Sequence, residues 1–141
     1  MLYTPLTKKA LTISFTAHKD QLDKSGMPYI FHPFHLADQM TDEATTCVAL
    51  LHDVMEDTPL NFCDLEKEGF YPEIIEALKL LTHDDNVDYM AYVEEIKKNP
   101  IARKVKLADL YHNSDLSRLD VIDENALQHH EKYLRAIELL K

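Results

Sequence analysis

The segment His52-Asp53-Val54-Met55-Glu56-Asp57-Thr58 closes the apolar run Val48-Ala49-Leu50-Leu51 and concentrates ionisable groups. At about 100° per helical residue, His52, Glu56, Asp53 and Asp57 sit at about 0°, 40°, 100° and 140°, so they share one sector. A solvated helix face has the same composition. Three features favour a site instead: the cluster ends a helix of buried residue types, most of its groups are acids, and a neutral imidazole stands among them. Carboxylates this close raise one another's pKa, and a divalent cation is the economical way to keep them ionised. Histidine mixed with carboxylates suits Mn, Fe, Co or Zn better than Ca, which prefers all-oxygen cages.

Two other segments offer further ligands. His32 lies in IFHPFH, and Asp109 lies in KLADLYHN, at the edge of an apolar stripe formed by Val105, Ala108, His112 and Leu116. A carboxylate beside a core stripe needs a partner, and a metal is one candidate. The ordinary alternatives stay open: a histidine before proline is often a capping or core residue, and a lone Asp often pairs with Lys or Arg. Zinc-protease chemistry is not supported, because His130-Glu131 lacks the second His of H-E-x-x-H.

The elements that must position these groups read as helices. Leu6, Ala10, Ile13 and Ala17 form one stripe over about Thr4 to Asp20, followed by a loop, Leu22 to Tyr29, whose Gly26 permits an unusual dihedral. A second helix runs from His32 or Pro33 to Met40. Thr41 is the expected N-cap of a third, with Asp42 and Glu43 in its first turn and Pro59 bounding it. Further helices are expected over Asn61 to Glu68, Tyr71 to Leu81, Asp88 to Lys98, about Ile101 to Asp115, and Asp123 to Leu140, the last with Leu127, His130, Leu134, Ile137 and Leu140 or Lys141 as its stripe. The predicted architecture is all-α, one domain over residues 1–141, a bundle of about seven or eight helices.

Composition narrows the function. The 141 residues carry 15 Lys+Arg against 25 Asp+Glu, a net charge of -10 that opposes binding to DNA or RNA. Two glycines cannot write a dinucleotide fingerprint, a phosphate loop or a nucleophile elbow. Cys47 and Cys63 make neither a redox pair nor a cysteine zinc site, which implies a reducing, cytoplasmic setting. No stretch reads as a membrane span or a signal peptide.

His32, the adjacent His52-Asp53 and the distant Asp109, in that order, resemble the H…HD…D set of the HD phosphohydrolases. AHKDQLDKSGMPYIFHP, ALLHDVMEDT and KVKLADLYHN together resemble the hydrolase domain of the RelA/SpoT homologues and the small alarmone hydrolases, in register from about Thr16 to Asn113. The resemblance implies hydrolysis of the 3'-pyrophosphate of guanosine tetra- or pentaphosphate, with Mn2+ as the usual metal. It implies His32, His52, Asp53 and Asp109 as metal ligands and Glu56 and Asp57 as the pair that orients or activates water. Lys24, Ser25 and Asn113 are implied to bind the nucleotide substrate.

The loop departs from the family's R-K-S-G by carrying Asp23 in the first place, where an anion would cost phosphate binding, and Leu110 replaces an Arg. Two alternatives follow: an HD phosphohydrolase acting on another nucleotide or phosphate ester, or a non-catalytic metal-bound sensor module. The Glu56-Asp57 pair argues against the second. His18 and His112 are expected to support or pack against the site, His35 is left out of the ligand set, and His83, His129 and His130 are expected to be solvated.

Overall fold

The computed structural model describes residues 1–141, folded as eight α-helices and one short 3-10 turn: α1 Pro5–His18, α2 Phe31–Asp38, α3 Glu43–Asp57, α4 Phe62–Lys67, α5 Pro72–Leu81, α6 Tyr89–Lys97, α7 Pro100–Asn113, the turn Leu116–Arg118, and α8 Glu124–Leu140. The all-α expectation holds. None of these helices is long and apolar enough to cross a membrane.

α3 is the axis of the molecule. Every residue from Thr45 to Val54 is buried, as expected of a helix apolar around most of its circumference. It packs against α1, α2, α5 and α7, and α7 in turn packs against α8. One continuous apolar core results, with Leu36, Leu50, Leu51, Ile74, Leu78, Ile96, Leu110 and Leu140 among its fully buried members.

Several boundaries follow from capping chemistry. Asp42, not the expected Thr41, is the N-cap of α3, its carboxylate accepting from the Thr45 amide at 2.8 Å. Both residue types cap well, and the one directly before the first helical residue does so here. Asn61 and Asp64 form a reciprocal capping box at α4, and Asn99 caps α7 ahead of Pro100. Gly26 adopts φ 81°, the left-handed conformation that lets the 19–30 loop fold back so that Leu22 and Pro28 pair.

Two helix faces differ from expectation. α1 turns Thr7, Ala10, Ser14 and His18 inward, while Leu6, Ile13 and Ala17 stay half-buried, because small side chains allow close approach to α3. α8 buries Ala136, Ile137 and Leu140; Leu127 and Leu134 of the expected stripe are exposed.

Candidate metal centre and adjoining cleft

Three helices deliver the cluster. α2 brings His32, α3 brings His52 and Asp53, and α7 brings Asp109. One ligand-capable atom from each of His32, His52 and Asp109 lies within 4.8 Å of the others, and all are buried. Asp53 flanks this triad on the histidine side: its Oδ2 lies 3.2 Å from His52 Nε2 and 3.7 Å from His32 Nε2. His32 Nε2 is 2.9 Å and His52 Nε2 3.6 Å from Asp109 Oδ1.

The histidines are oriented from behind. His52 Nδ1 donates to the Ala49 carbonyl oxygen at 2.8 Å, which leaves the lone pair of the neutral ring on Nε2. That Nε2 is buried and without a hydrogen-bond partner. An orphaned imidazole nitrogen aimed at two carboxylates is the donor set a divalent cation completes, so the residues fit a metal. Burial opposes a charge on His52, but Asp53 and Asp109 outweigh it and raise its pKa to about 9. The metal-free pocket thus holds an excess of negative charge, for which a cation and a proton compete.

Each acid has its own support. Tyr29 donates its hydroxyl to Asp53 Oδ2 at 2.6 Å. Burial raises the pKa of Asp109, but Lys106 at 3.0 Å, His32 and His52 together hold it well below the usual carboxylate range. The ion-pair alternative for Asp109 is therefore present as well, through Oδ2, while Oδ1 faces the histidines. Lys106 is itself packed over the rings of Tyr89 and Tyr92.

Glu56 and Asp57 lie one turn beyond at the surface, the Glu56 carboxyl partly shielded from solvent by its surroundings. Glu56 Oε1 accepts from the His83 amide at 3.1 Å. Desolvation of its carboxyl raises the pKa against that hydrogen bond, and Asp53 adds to the rise. Asp57 Oδ2 accepts from Gln21 Nε2 at 3.3 Å, and Gln21 Oε1 is 2.8 Å from His18 Nδ1.

A cleft of about 490 Å3 opens between the 19–30 loop, the 3-10 turn and α8. Lys24, Ser25, His32 and Asn113 line it, whereas His52, Asp53, Glu56, Asp57 and Asp109 do not; His32 and Asn113 link the cleft to the buried cluster. Asn113 Nδ2 donates to Asp109 Oδ1 at 3.1 Å, and Ser25 Oγ accepts from the Asp120 amide at 3.2 Å.

Several residues carry more than sequence reasoning assigned them. His112 Nδ1 is 2.7 Å from His32 Nδ1, and His35 stacks on His112 with ring centres 4.1 Å apart. His129 and His130 are half-buried on the cleft wall, not simply solvated, and His83 packs against Tyr89 and Tyr92. Asp23 Oδ1 accepts from the amides of Ser25 and Met27, and its Oδ2 faces Arg118, so it is not a bare anion in the cleft. Gln21 and Tyr29 lie within the segment AHKDQLDKSGMPYIFHP, but only their contacts reveal what they hold.

No protein-family model matches the chain. It is 34% identical over 123 residues to the GTP pyrophosphokinase rsh of Brucella melitensis, covering 77% of this chain and 16% of that protein. It is 33% identical over 121 residues to the bifunctional (p)ppGpp synthase/hydrolase SpoT of Escherichia coli K12, covering 75% and 17% respectively. The chain thus spans about a sixth of the length of these relatives. Among solved structures, a metazoan orthologue of SpoT that hydrolyses ppGpp superposes with a TM-score of 0.77 at 23% identity, covering 100% of this chain and 88% of that one. The two share their fold.

Proposed function

We propose that this chain, homologous over most of its length to one segment of the RelA/SpoT proteins, is a metal-dependent phosphohydrolase that removes the 3'-pyrophosphate from guanosine 3',5'-bis(diphosphate) and its pentaphosphate counterpart. The observation that carries the reading is the convergence of His32, His52, Asp53 and Asp109 from three helices beside a nucleotide-sized cleft. Residues 1–141 act as one HD phosphohydrolase domain, a reading supported by the single continuous core. Its place is the cytoplasm, where a nucleotide substrate and the free thiols of Cys47 and Cys63 belong.

His32, His52, Asp53 and Asp109 would hold Mn2+, which their mixed nitrogen and oxygen donors suit. Such an ion supplies Lewis acidity toward a phosphoryl oxygen and lowers the pKa of water. The chain's own residues do the rest. Lys24, Ser25 and Asn113 bind the nucleotide in the cleft, with the 3'-pyrophosphate directed past His32. Glu56 receives a proton from the attacking water; its raised pKa makes it a stronger base than an ordinary carboxylate. Asp57, held by Gln21, orients that water. The new P–O bond forms as the bond from phosphorus to the ribose 3' oxygen breaks, and the proton passes to that oxygen. The products are pyrophosphate and the 5'-nucleotide, GDP from the tetraphosphate and GTP from the pentaphosphate.

The test is turnover of Mn2+-loaded protein with guanosine 3',5'-bis(diphosphate), followed by chromatography. GDP and pyrophosphate in equal amounts are expected. Cleavage of other nucleotides with none of this one would move the same machinery to a different phosphate ester, and no turnover of a nucleotide panel would leave a metal-bound sensor.

A further inference from the structure

We propose that Arg118 binds a phosphate of the nucleotide in this cleft and that Asp23 is its positioning residue; the inference rests on the reading of the cleft as a nucleotide site. Four carboxylates line the cleft, those of Asp23, Asp115, Asp120 and Asp123. A polyanion would be repelled if all were free. Three are already engaged by donors of their own chain. Asp23 Oδ1 accepts from the Ser25 and Met27 amides at 2.9 and 3.0 Å. Asp115 Oδ1 accepts from the amide and hydroxyl of Ser117, and Asp123 Oδ1 from the Ala126 amide.

Arg118 is held without being consumed. Its Nη1 donates to the His112 carbonyl oxygen at 3.0 Å, which fixes the guanidinium plane. Its Nη2 stands 4.0 Å from Asp23 Oδ2, close enough for attraction and too far for a hydrogen bond. The remaining N–H groups of the fork have no protein acceptor, and the side chain keeps 28% of its exposure. A planar fork left open in a cleft that Lys24 also lines matches two oxygens of a phosphate, which a lone ammonium matches less well.

The loop and the 3-10 turn are also tied together. Ser25 Oγ accepts from the Asp120 amide, so Lys24 on one edge and Arg118 on the other are held across a fixed gap. That removes part of the ordering cost a flexible arginine would add to binding. Asp23 serves twice here: one oxygen shapes the loop, and the other draws Arg118 toward it.

The experiment compares wild type, Arg118→Ala, Arg118→Lys and Asp23→Asn as Mn2+-loaded proteins. Each is titrated calorimetrically with GDP and with guanosine, and assayed for KM and kcat on guanosine 3',5'-bis(diphosphate), with thermal midpoints as a check on folding. Arg118→Ala is expected to weaken GDP at least about tenfold, the scale of a lost charge-assisted contact. Guanosine binding and kcat should stay within about twofold, and KM should rise with the GDP constant. Arg118→Lys should fall between. Asp23→Asn keeps the loop acceptor and loses the charge, so GDP should weaken by a few-fold. Unchanged GDP affinity together with an unchanged KM in Arg118→Ala overturns the proposal. Equal loss of GDP and guanosine overturns it too, because a disturbed His112 anchor or a base contact would then explain the effect. GDP affinity unchanged in Asp23→Asn removes the positioning role. A wild type that binds GDP through Arg118 yet does not cleave the tetraphosphate upholds this inference and ends the proposed reaction.

Discussion

His32 Nδ1 lies 2.7 Å from His112 Nδ1, and the two rings are stacked within 5° of parallel. One of these nitrogens must donate and the other accept. Desolvation, then Arg118, His32 and His35, lower the pKa of His112 to about 3, so its ring is neutral at physiological pH. A neutral His112 that presents an Nδ1 lone pair accepts from His32 Nδ1–H. With that Nδ1–H donated, His32 Nε2, 2.9 Å from Asp109 Oδ1, would offer its lone pair to a metal, as His52 Nε2 would once its proton is displaced.

His112→Phe keeps a ring in the stack and removes this acceptor. Mn2+ affinity, measured by calorimetric titration, should fall about 10- to 100-fold, the range for losing a residue that orients a metal-bound histidine. An unchanged affinity would show that His32 is oriented without His112.

Catalysis is separable from metal content. Glu56 bonds to the His83 amide and makes no ion pair within the histidine and aspartate cluster. Glu56→Gln should therefore retain Mn2+ by elemental analysis while turnover falls about 10²-fold or more. His52→Ala should lose both. Metal loss in Glu56→Gln would make Glu56 a ligand.

Much of this was legible in the residues because the motif segments lie on helices, where spacing fixes direction. The apolar run before His52 announces a buried helix end, and three motifs in order announce what it meets. Other features carry no local signal. Leu127 and Leu134 have the right helical spacing, but the partner surface of α7 and α6 selects the Tyr133, Ala136, Ile137 and Leu140 side of α8. Asp23 reads as an anion opposing phosphate until its contacts with Ser25, Met27 and Arg118 are known. The turn Leu116–Arg118 is too short for periodicity to reveal, and with it Arg118 stays hidden.

The pH dependence of the metal-free protein has a definite sign. The pKa of His52 rises from an ordinary 6.5 to about 9 on folding. Between these values the folded state binds a proton that the unfolded state does not. This stabilisation is complete below about pH 6.5 and is lost as pH rises through 9. Metal reverses the trend, because the cation must displace the same proton. The thermal midpoint should fall with pH in chelator and rise with pH in Mn2+ over that window. Parallel slopes under the two conditions would mean that His52 is not where proton and metal compete.

Lys106 gives the sharpest separation of stability from metal affinity. Its ammonium sits 3.0 Å from Asp109 Oδ2 with 13% of the side chain exposed, and Asp109 retains 7%. Asp109 attracts the ammonium strongly enough to hold the lysine pKa well above its ordinary value despite the opposing effect of burial. Lys106→Met preserves most of the stem packed on Tyr89 and Tyr92 and removes the charge. Breaking such a buried pair leaves an uncompensated carboxylate, at a cost of about 3–5 kcal/mol in the metal-free protein. The same loss removes a positive charge competing for Asp109, so Mn2+ should bind more tightly and restore much of the stability. Denaturant unfolding with and without Mn2+, together with the metal titration, checks both halves. A variant equally destabilised in both conditions would show that Lys106 supports packing alone.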